Sequence, residues 1–118
     1  MRLIRHTLID HVRAPIDQVF ACLADPGRMT SWLPACTGVE IEGPVKRGAR
    51  LTVRFGTRVT SVTITDLSAP TTFGWEEDGA RHGSKTLFQL EAVGGSTRIT
   101  VRHWWTPQSF LAWLRGRV

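Results

Sequence analysis

Apolar positions along the chain first recur at helical spacing and then switch to alternation. Leu3–Val12 reads as an extended segment. The stretch that follows, Ala14–Pro34 (APIDQVFACLADPGRMTSWLP), encodes two short helices back to back. Pro15 suits a first helical position, where a missing N–H costs nothing. Ile16, Val19, Phe20 and Leu23 then fall on one apolar stripe at i, i+3, i+4 and i+7. Asp25-Pro26 restarts the pattern as an N-cap followed by proline. Met29, Trp32 and Leu33 form a second, shorter stripe, which Pro34 ends.

Beyond Pro34, turn signals recur at strand-length spacing. Thr37–Glu42 is a short strand ended by Gly43-Pro44. Ala49–Phe55 and Arg58–Leu67 flank Gly56-Thr57, and Thr71–Glu77 follows the Ser68-Ala69-Pro70 turn. Asp78-Gly79 is a two-residue hairpin signal leading into Arg81–Val93, and Gly94-Gly95 leads into Thr97–Trp105. Thr106-Pro107 then caps a last helix carrying Phe110, Trp113 and Leu114.

If each turn closes an antiparallel hairpin, the register follows. Leu51 opposes Val62, Ile64 opposes Trp75, Trp75 opposes His82, and Phe73 opposes Ser84. Leu90 then opposes Ile99, Phe88 opposes Val101, and Thr86 opposes His103. Directly opposed residues share a face. One face therefore carries Leu51, Val53, Phe55, Val62, Ile64, Phe73, Trp75, Phe88, Leu90, Ala92, Ile99, Val101 and Trp105. The other carries Arg50, Thr52, Arg54, Ser61, Thr63, Glu76, Lys85, Gln89, Glu91, Arg98, Thr100 and Arg102. All four turns give the same apolar side, so the expected fold class is α+β. It is a curved antiparallel sheet of seven strands, with two short helices after the first and one helix at the end.

At 118 residues the chain is read as one domain, residues 1–118, with one core. Its 42% hydrophobic and 21% charged content is ordinary for a globular protein. No apolar run approaches the roughly 18 residues that span a bilayer, and Met1–Asp10 lacks the features of a signal peptide. A cytoplasmic protein is expected. Cys22 and Cys36 are too few for a zinc site or a disulfide framework and read as buried or half-buried thiols. The net charge of +5 favours anionic partners without choosing among them.

Ala14-Pro15, Val19-Phe20, Asp25-Pro26, Trp32-Leu33-Pro34, Gly48 before the third strand and Trp75 in the fifth are fold-defining words. With the order of elements, they make the whole chain resemble the START-like superfamily, also called SRPBCC or helix-grip. That superfamily includes polyketide cyclase/dehydrase-like proteins, the birch pollen allergen group and lipid-transfer domains. The resemblance implies a cavity between sheet and C-terminal helix that takes lipids, polyketides or aromatic metabolites. Trp32, Phe55, Val62, Ile64, Phe73, Trp75, Phe88, Val101 and Trp105 would line it. In the family the last helix is usually several turns longer, whereas only about a dozen residues follow Trp105 here. A second copy of the chain, the ligand, or further helix not included in these 118 residues is expected to cover the remaining apolar face, a homodimer or a shallow, open pocket being favoured.

Polar residues on the apolar face suggest where chemistry would sit. His82, Ser84, Thr86 and His103 fall there, with Thr86 opposite His103. A histidine in such a cavity can act as general acid or base on an enolisable compound. His103, with Thr86 or Ser84, is the candidate catalytic set. No metal or cofactor is expected: His82 and His103 are not at a ligand spacing, and no glycine-rich strand-to-helix turn occurs. The foremost reading is a non-catalytic binder of a small hydrophobic ligand. The alternatives are a polyketide cyclase/dehydrase-like enzyme, and a module docking the basic face, with Trp104, on RNA or an anionic membrane.

Overall fold

The computed structural model describes residues 4–78 and 84–105. One antiparallel sheet of seven strands runs in the order β1-β7-β6-β5-β4-β3-β2. The strands are β1 (Ile4–Val12), β2 (Gly38–Ile41), β3 (Arg50–Phe55), β4 (Arg58–Ser68), β5 (Thr72–Glu77), β6 (Lys85–Val93) and β7 (Ser96–Trp105). Helix α1 (Ile16–Leu23), a 3-10 turn (Pro26–Arg28) and helix α2 (Met29–Trp32) lie between β1 and β2. The α+β helix-grip architecture read from the sequence is therefore present. The expected C-terminal helix and His82 lie outside the described residues.

The helices form where the apolar stripes place them, with small shifts at their ends. Pro15 is extended (ψ 150°) and acts as the N-cap of α1, one position earlier than expected. Its carbonyl accepts the N–H groups of Gln18 and Val19, both at 3.1 Å, so the helix gains its first turn without a side-chain cap. Asp25 caps the 3-10 turn as expected, Oδ1 accepting the Gly27 N–H at 3.0 Å, with Pro26 in the first position. The second stripe closes into a single helical turn. Leu33 is already extended, and Ala35 takes a left-handed φ of 62° that redirects the chain into β2.

Both helices press their stripes onto one face of the sheet. Val19, Phe20, Leu23 and Met29 meet Leu51, Val53, Val62, Ile64, Phe73, Trp75, Phe88 and Leu90 in one core. Met29, Leu51 and Ile64 are sealed completely. Each large side chain so buried contributes about 1.5–3 kcal/mol. Thr97, read from its position as a strand residue only, is also sealed, and its hydroxyl donates to the Ala14 carbonyl at 2.8 Å. That bond ties β7 to the start of α1. Ala92, placed among the apolar positions, is exposed near the Gly94-Gly95 turn.

The expected pairings hold at three turns: Leu51 opposes Val62, Ile64 opposes Trp75, and Phe88 opposes Val101. The β5–β6 register differs. Trp75 faces Thr86 and Phe73 faces Phe88, not His82 and Ser84. The last β5–β6 backbone bond joins Glu77 to Ser84, in place of the register a two-residue turn at Asp78-Gly79 would set, and Asp78 is bound to β4. Its N–H donates to the Ser61 carbonyl at 2.8 Å, and its carboxylate accepts from Ser61 at 2.7 Å and Thr63 at 2.6 Å. The slip is four residues, an even number, so every side chain keeps its face.

A bulge at Thr65 offsets β4 against β5, so that Asp66 pairs with Gly74. The Asp66 carboxylate then lies over Gly74 and reaches Lys85 Nζ at 3.0 Å. A Cβ at Gly74 would meet the Thr86 carbonyl at 2.9 Å, Leu87 at 3.0 Å and the Asp66 carboxylate at 3.1 Å. Glycine inside this strand marks that close approach. Gly74→Ala is expected to lower stability by about 1–3 kcal/mol, measured by urea denaturation, and an unchanged midpoint would count against the crowding.

The hydroxyl bond from Thr63 holds the Asp78 carboxyl below the ordinary carboxylate value. Partial burial opposes the shift, while Ser61 and the Arg50 guanidinium, 3.3 Å away, add to it. A lowered folded value means that the contribution to stability is complete above the unfolded value of about 3.9. It is lost as the pH falls through the lowered folded value. Asp78→Ala is expected to cost about 2 kcal/mol near neutrality and to flatten the decline in stability below about pH 4. Denaturation midpoints measured across that range check both.

Candidate functional site

The densest aromatic packing in the described core joins α2 to the middle of the sheet. Trp32 leaves the single turn of α2 and packs edge-on against Phe88, with ring centroids 5.5 Å apart, and at 6.3 Å from Trp75. Trp75 lies 5.4 Å from Phe88 and 5.8 Å from Phe73, and Phe73 stacks on Phe88 at 6.3 Å. β5 and β6 supply these rings because Phe73 and Trp75 alternate inward, as Phe88 does beside them. Trp32 is half-buried, yet its indole nitrogen is sealed and has no hydrogen-bond partner among the described residues.

A polar pair sits beside the rings. Thr86 opposes Trp75 on one side and His103 on the other. Thr86 Oγ1 and His103 Nδ1 are 3.0 Å apart and share a hydrogen bond, with the proton on either partner according to the imidazole tautomer. Thr86 is buried and His103 half-buried. The cross-strand pair read from the sequence is thus a direct contact, and it fixes one ring nitrogen of the histidine. Ser84 stands outside this pair. It is half-buried, and its carbonyl accepts the Glu77 N–H at 2.7 Å, extending the β5–β6 ladder by one bond.

The other expected lining residues take three positions. Val62 and Ile64 are core, 3% and 0% exposed, on the strand beside the one that carries Phe73 and Trp75. Phe55 sits at the β3–β4 hairpin, half-buried, with the Arg58 guanidinium 4.9 Å above its ring. Val101 is half-buried against the core, and Trp105 occupies the last position of β7, opposite Ile4. Among the described residues no group of three or more His, Cys, Asp and Glu converges as a metal site. Burial pushes the Cys36 thiol up, against a weak bond to the Gly38 carbonyl, so it is held as the unreactive thiol. Both cysteines are free.

The outer face is less basic than its sequence suggests. Arg50 pairs with Asp78, Arg54 with Glu40 at 3.1 Å, Lys85 with Asp66 and Arg98 with Glu91 at 2.7 Å. Four of the five cations expected to form a docking stripe thus have carboxylate partners. The Asp66 carboxyl is partly desolvated, yet the Thr65 hydroxyl and the charges of Lys85 and Arg47 hold it below its ordinary value. An open hollow of about 350 Å³ on this face is lined by polar side chains, Arg98 and Arg102 among them. Sequence reading missed Asp66 and Asp78. The glycine inside β5 was the available signal for the first, and the Ser61 and Thr63 hydroxyls at alternating positions were the signal for the second.

Comparison with known proteins places this geometry. Residues 6–118 match the family described as polyketide cyclase / dehydrase and lipid transport. No curated protein matches the sequence significantly. Among solved structures, CalU16 from Micromonospora echinospora is 18% identical, with a TM-score of 0.69 over 98% of this chain and 78% of that one. The Zhui aromatase/cyclase from Streptomyces sp. R1128 is 18% identical, with a TM-score of 0.69 over 89% and 68%. The Aha1 dimer from Colwellia psychrerythraea is 23% identical, with a TM-score of 0.69 over 95% and 84%. At these identities the likeness to solved structures concerns the fold.

Thr86→Val keeps the shape of the side chain and removes its hydroxyl. It is expected to cost about 1 kcal/mol of stability and to shift the imidazole nitrogen resonances of His103. Unmoved resonances would mean that the Thr86–His103 bond does not form in solution.

Proposed function

The chain belongs to the polyketide cyclase/dehydrase and lipid transport family, and on that footing we propose that it binds and carries a small hydrophobic ligand. The ligand class is a lipid, a polyketide or an aromatic metabolite. The observation that carries this reading is the inward-facing cluster of Trp32, Phe73, Trp75 and Phe88 with one polar pair, Thr86 and His103, at its side. Apolar walls with a few placed polar groups suit a ligand that is held by burial and oriented by one or two hydrogen bonds. Phe55, Val101 and Trp105 extend the proposed lining along the same face. Val62 and Ile64 pack in the same core on the neighbouring strand.

Assembly as a homodimer fits the exposed apolar residues of the edge strand. Leu8 and Ile9 of β1 are 57% and 63% exposed, one on each face, and β1 has no neighbouring strand on its outer side among the described residues.

A second reading is favoured by the 3.0 Å contact between Thr86 and His103. A histidine held beside an apolar ring cluster can act as general acid or base on a bound enolisable carbonyl compound. His103 would then be the general base, Thr86 the residue orienting it, and Ser84 a further polar contact for the substrate. The ion pairs on the outer face count against docking on RNA or an anionic membrane.

Native mass spectrometry of freshly purified protein, followed by denaturation and analysis of released small molecules, separates these readings. A dimer carrying a hydrophobic compound is the expected result. Protein free of ligand that cyclises a poly-β-ketone, and loses that turnover on His103→Ala without losing its fold, would replace the carrier by the enzyme.

A further inference from the structure

The indole nitrogen of Trp32 is sealed from solvent and makes no hydrogen bond among the described residues, although the residue as a whole is half-buried. A donor in that state has given up water and received nothing in return, which a folded chain ordinarily avoids. Phenylalanine would fill the same aromatic layer without that cost. The orphan also has a distinctive place. Its ring touches Phe88 and Trp75, and Thr86 is the residue opposite Trp75 and two along β6 from Phe88. The unpaired donor and the Thr86–His103 pair therefore flank the same rings.

The segment carrying Trp32 is short. α2 is one turn long and has no side-chain cap. Three residues after Trp32, Ala35 is held at a positive φ that alanine rarely adopts. The two sides of this segment differ in how firmly they are held: Met29 anchors its start in the core, while its exit is strained.

We propose that the Trp32 indole N–H is the hydrogen-bond donor that selects the ligand, pairing with an acceptor oxygen, a carbonyl or phenolate, on a flat ring system. This rests on the reading of the concave face as a ligand site and adds the polar group the ligand must carry. A plain hydrocarbon of the same shape leaves the donor unpaired. Its oxygenated counterpart satisfies the donor in a site from which water is already excluded, so discrimination comes from a group the unliganded fold leaves unpaired.

The test uses fluorene and 9-fluorenone, two flat tricyclic probes that differ at one carbon, with the 118-residue chain. Titration by intrinsic fluorescence and by calorimetry is expected to show 9-fluorenone binding about tenfold more tightly than fluorene. Trp32→Phe keeps a ring and removes the N–H, and is expected to bring the ratio of the two affinities to about one. In the unaltered protein, the Trp32 indole N–H resonance is expected to move downfield with 9-fluorenone and not with fluorene. Equal affinities, a ratio preserved in Trp32→Phe, or an unmoved indole resonance would each overturn this assignment and leave the apolar ligand site standing. Failure of both probes to bind would overturn the ligand-site reading itself, and this assignment with it.

Discussion

A seven-stranded sheet with one apolar face has to hide that face, and the two described helices available for it are short. α1 and α2 together bring Val19, Phe20, Leu23 and Met29 into the core and Trp32 to its edge. That coverage depends on the corner between them. Asp25 caps the 3-10 turn and Pro26 fixes its first residue, so the three-residue turn Pro26–Arg28 leads into the start of α2. Met29, fully sealed, then sets where Trp32 falls. The aromatic cluster follows from this corner, since Trp32 closes over rings that β5 and β6 have already aligned.

The outer face fixes what the inner face presents. Asp66 crosses Gly74 to Lys85, and Asp78 is bound by Ser61 and Thr63, so β4, β5 and β6 are locked by carboxylates at two points. Individually, such half-exposed ion pairs add little. Their effect here is on register. With β5 held to β4 past its last strand residue, β6 enters four residues later than a tight turn would allow. Thr86 therefore opposes Trp75 and sits between that ring and His103. The polar pair beside the aromatic cluster is a consequence of carboxylates on the opposite side of the sheet.

A carrier and an enzyme on this fold would share the same rings and differ in what the polar groups do. A carrier needs an orienting contact that strengthens with burial. An enzyme needs a group that exchanges a proton with the bound compound. Thr86 holds one nitrogen of His103, an arrangement that serves either role. The orphan donor on Trp32 suits recognition of an oxygenated ligand in both cases.

The sequence alone determined the elements and the two faces. Helical spacing at Ile16, Val19, Phe20 and Leu23, proline and aspartate at the helix starts, and alternation along β3 to β7 each follow from local geometry. The inward set survived even the misread Asp78-Gly79 turn, because an even slip returns every residue to its own side. Thr86 and His103 were legible as a pair because the Gly94-Gly95 hairpin joins their strands within a short loop. Only the tertiary structure decided the rest. The β5–β6 register was set by Asp78 binding hydroxyls on β4, a contact between residues 15 and 17 positions apart that no local propensity encodes. The pairing of basic residues on the outer face, the crossing of Asp66 over Gly74 and the unpaired indole of Trp32 likewise depend on where separate strands and a helical turn come together. Side-chain periodicity assigns a residue to a face, while its partner there is fixed by the packing of chain segments remote in sequence.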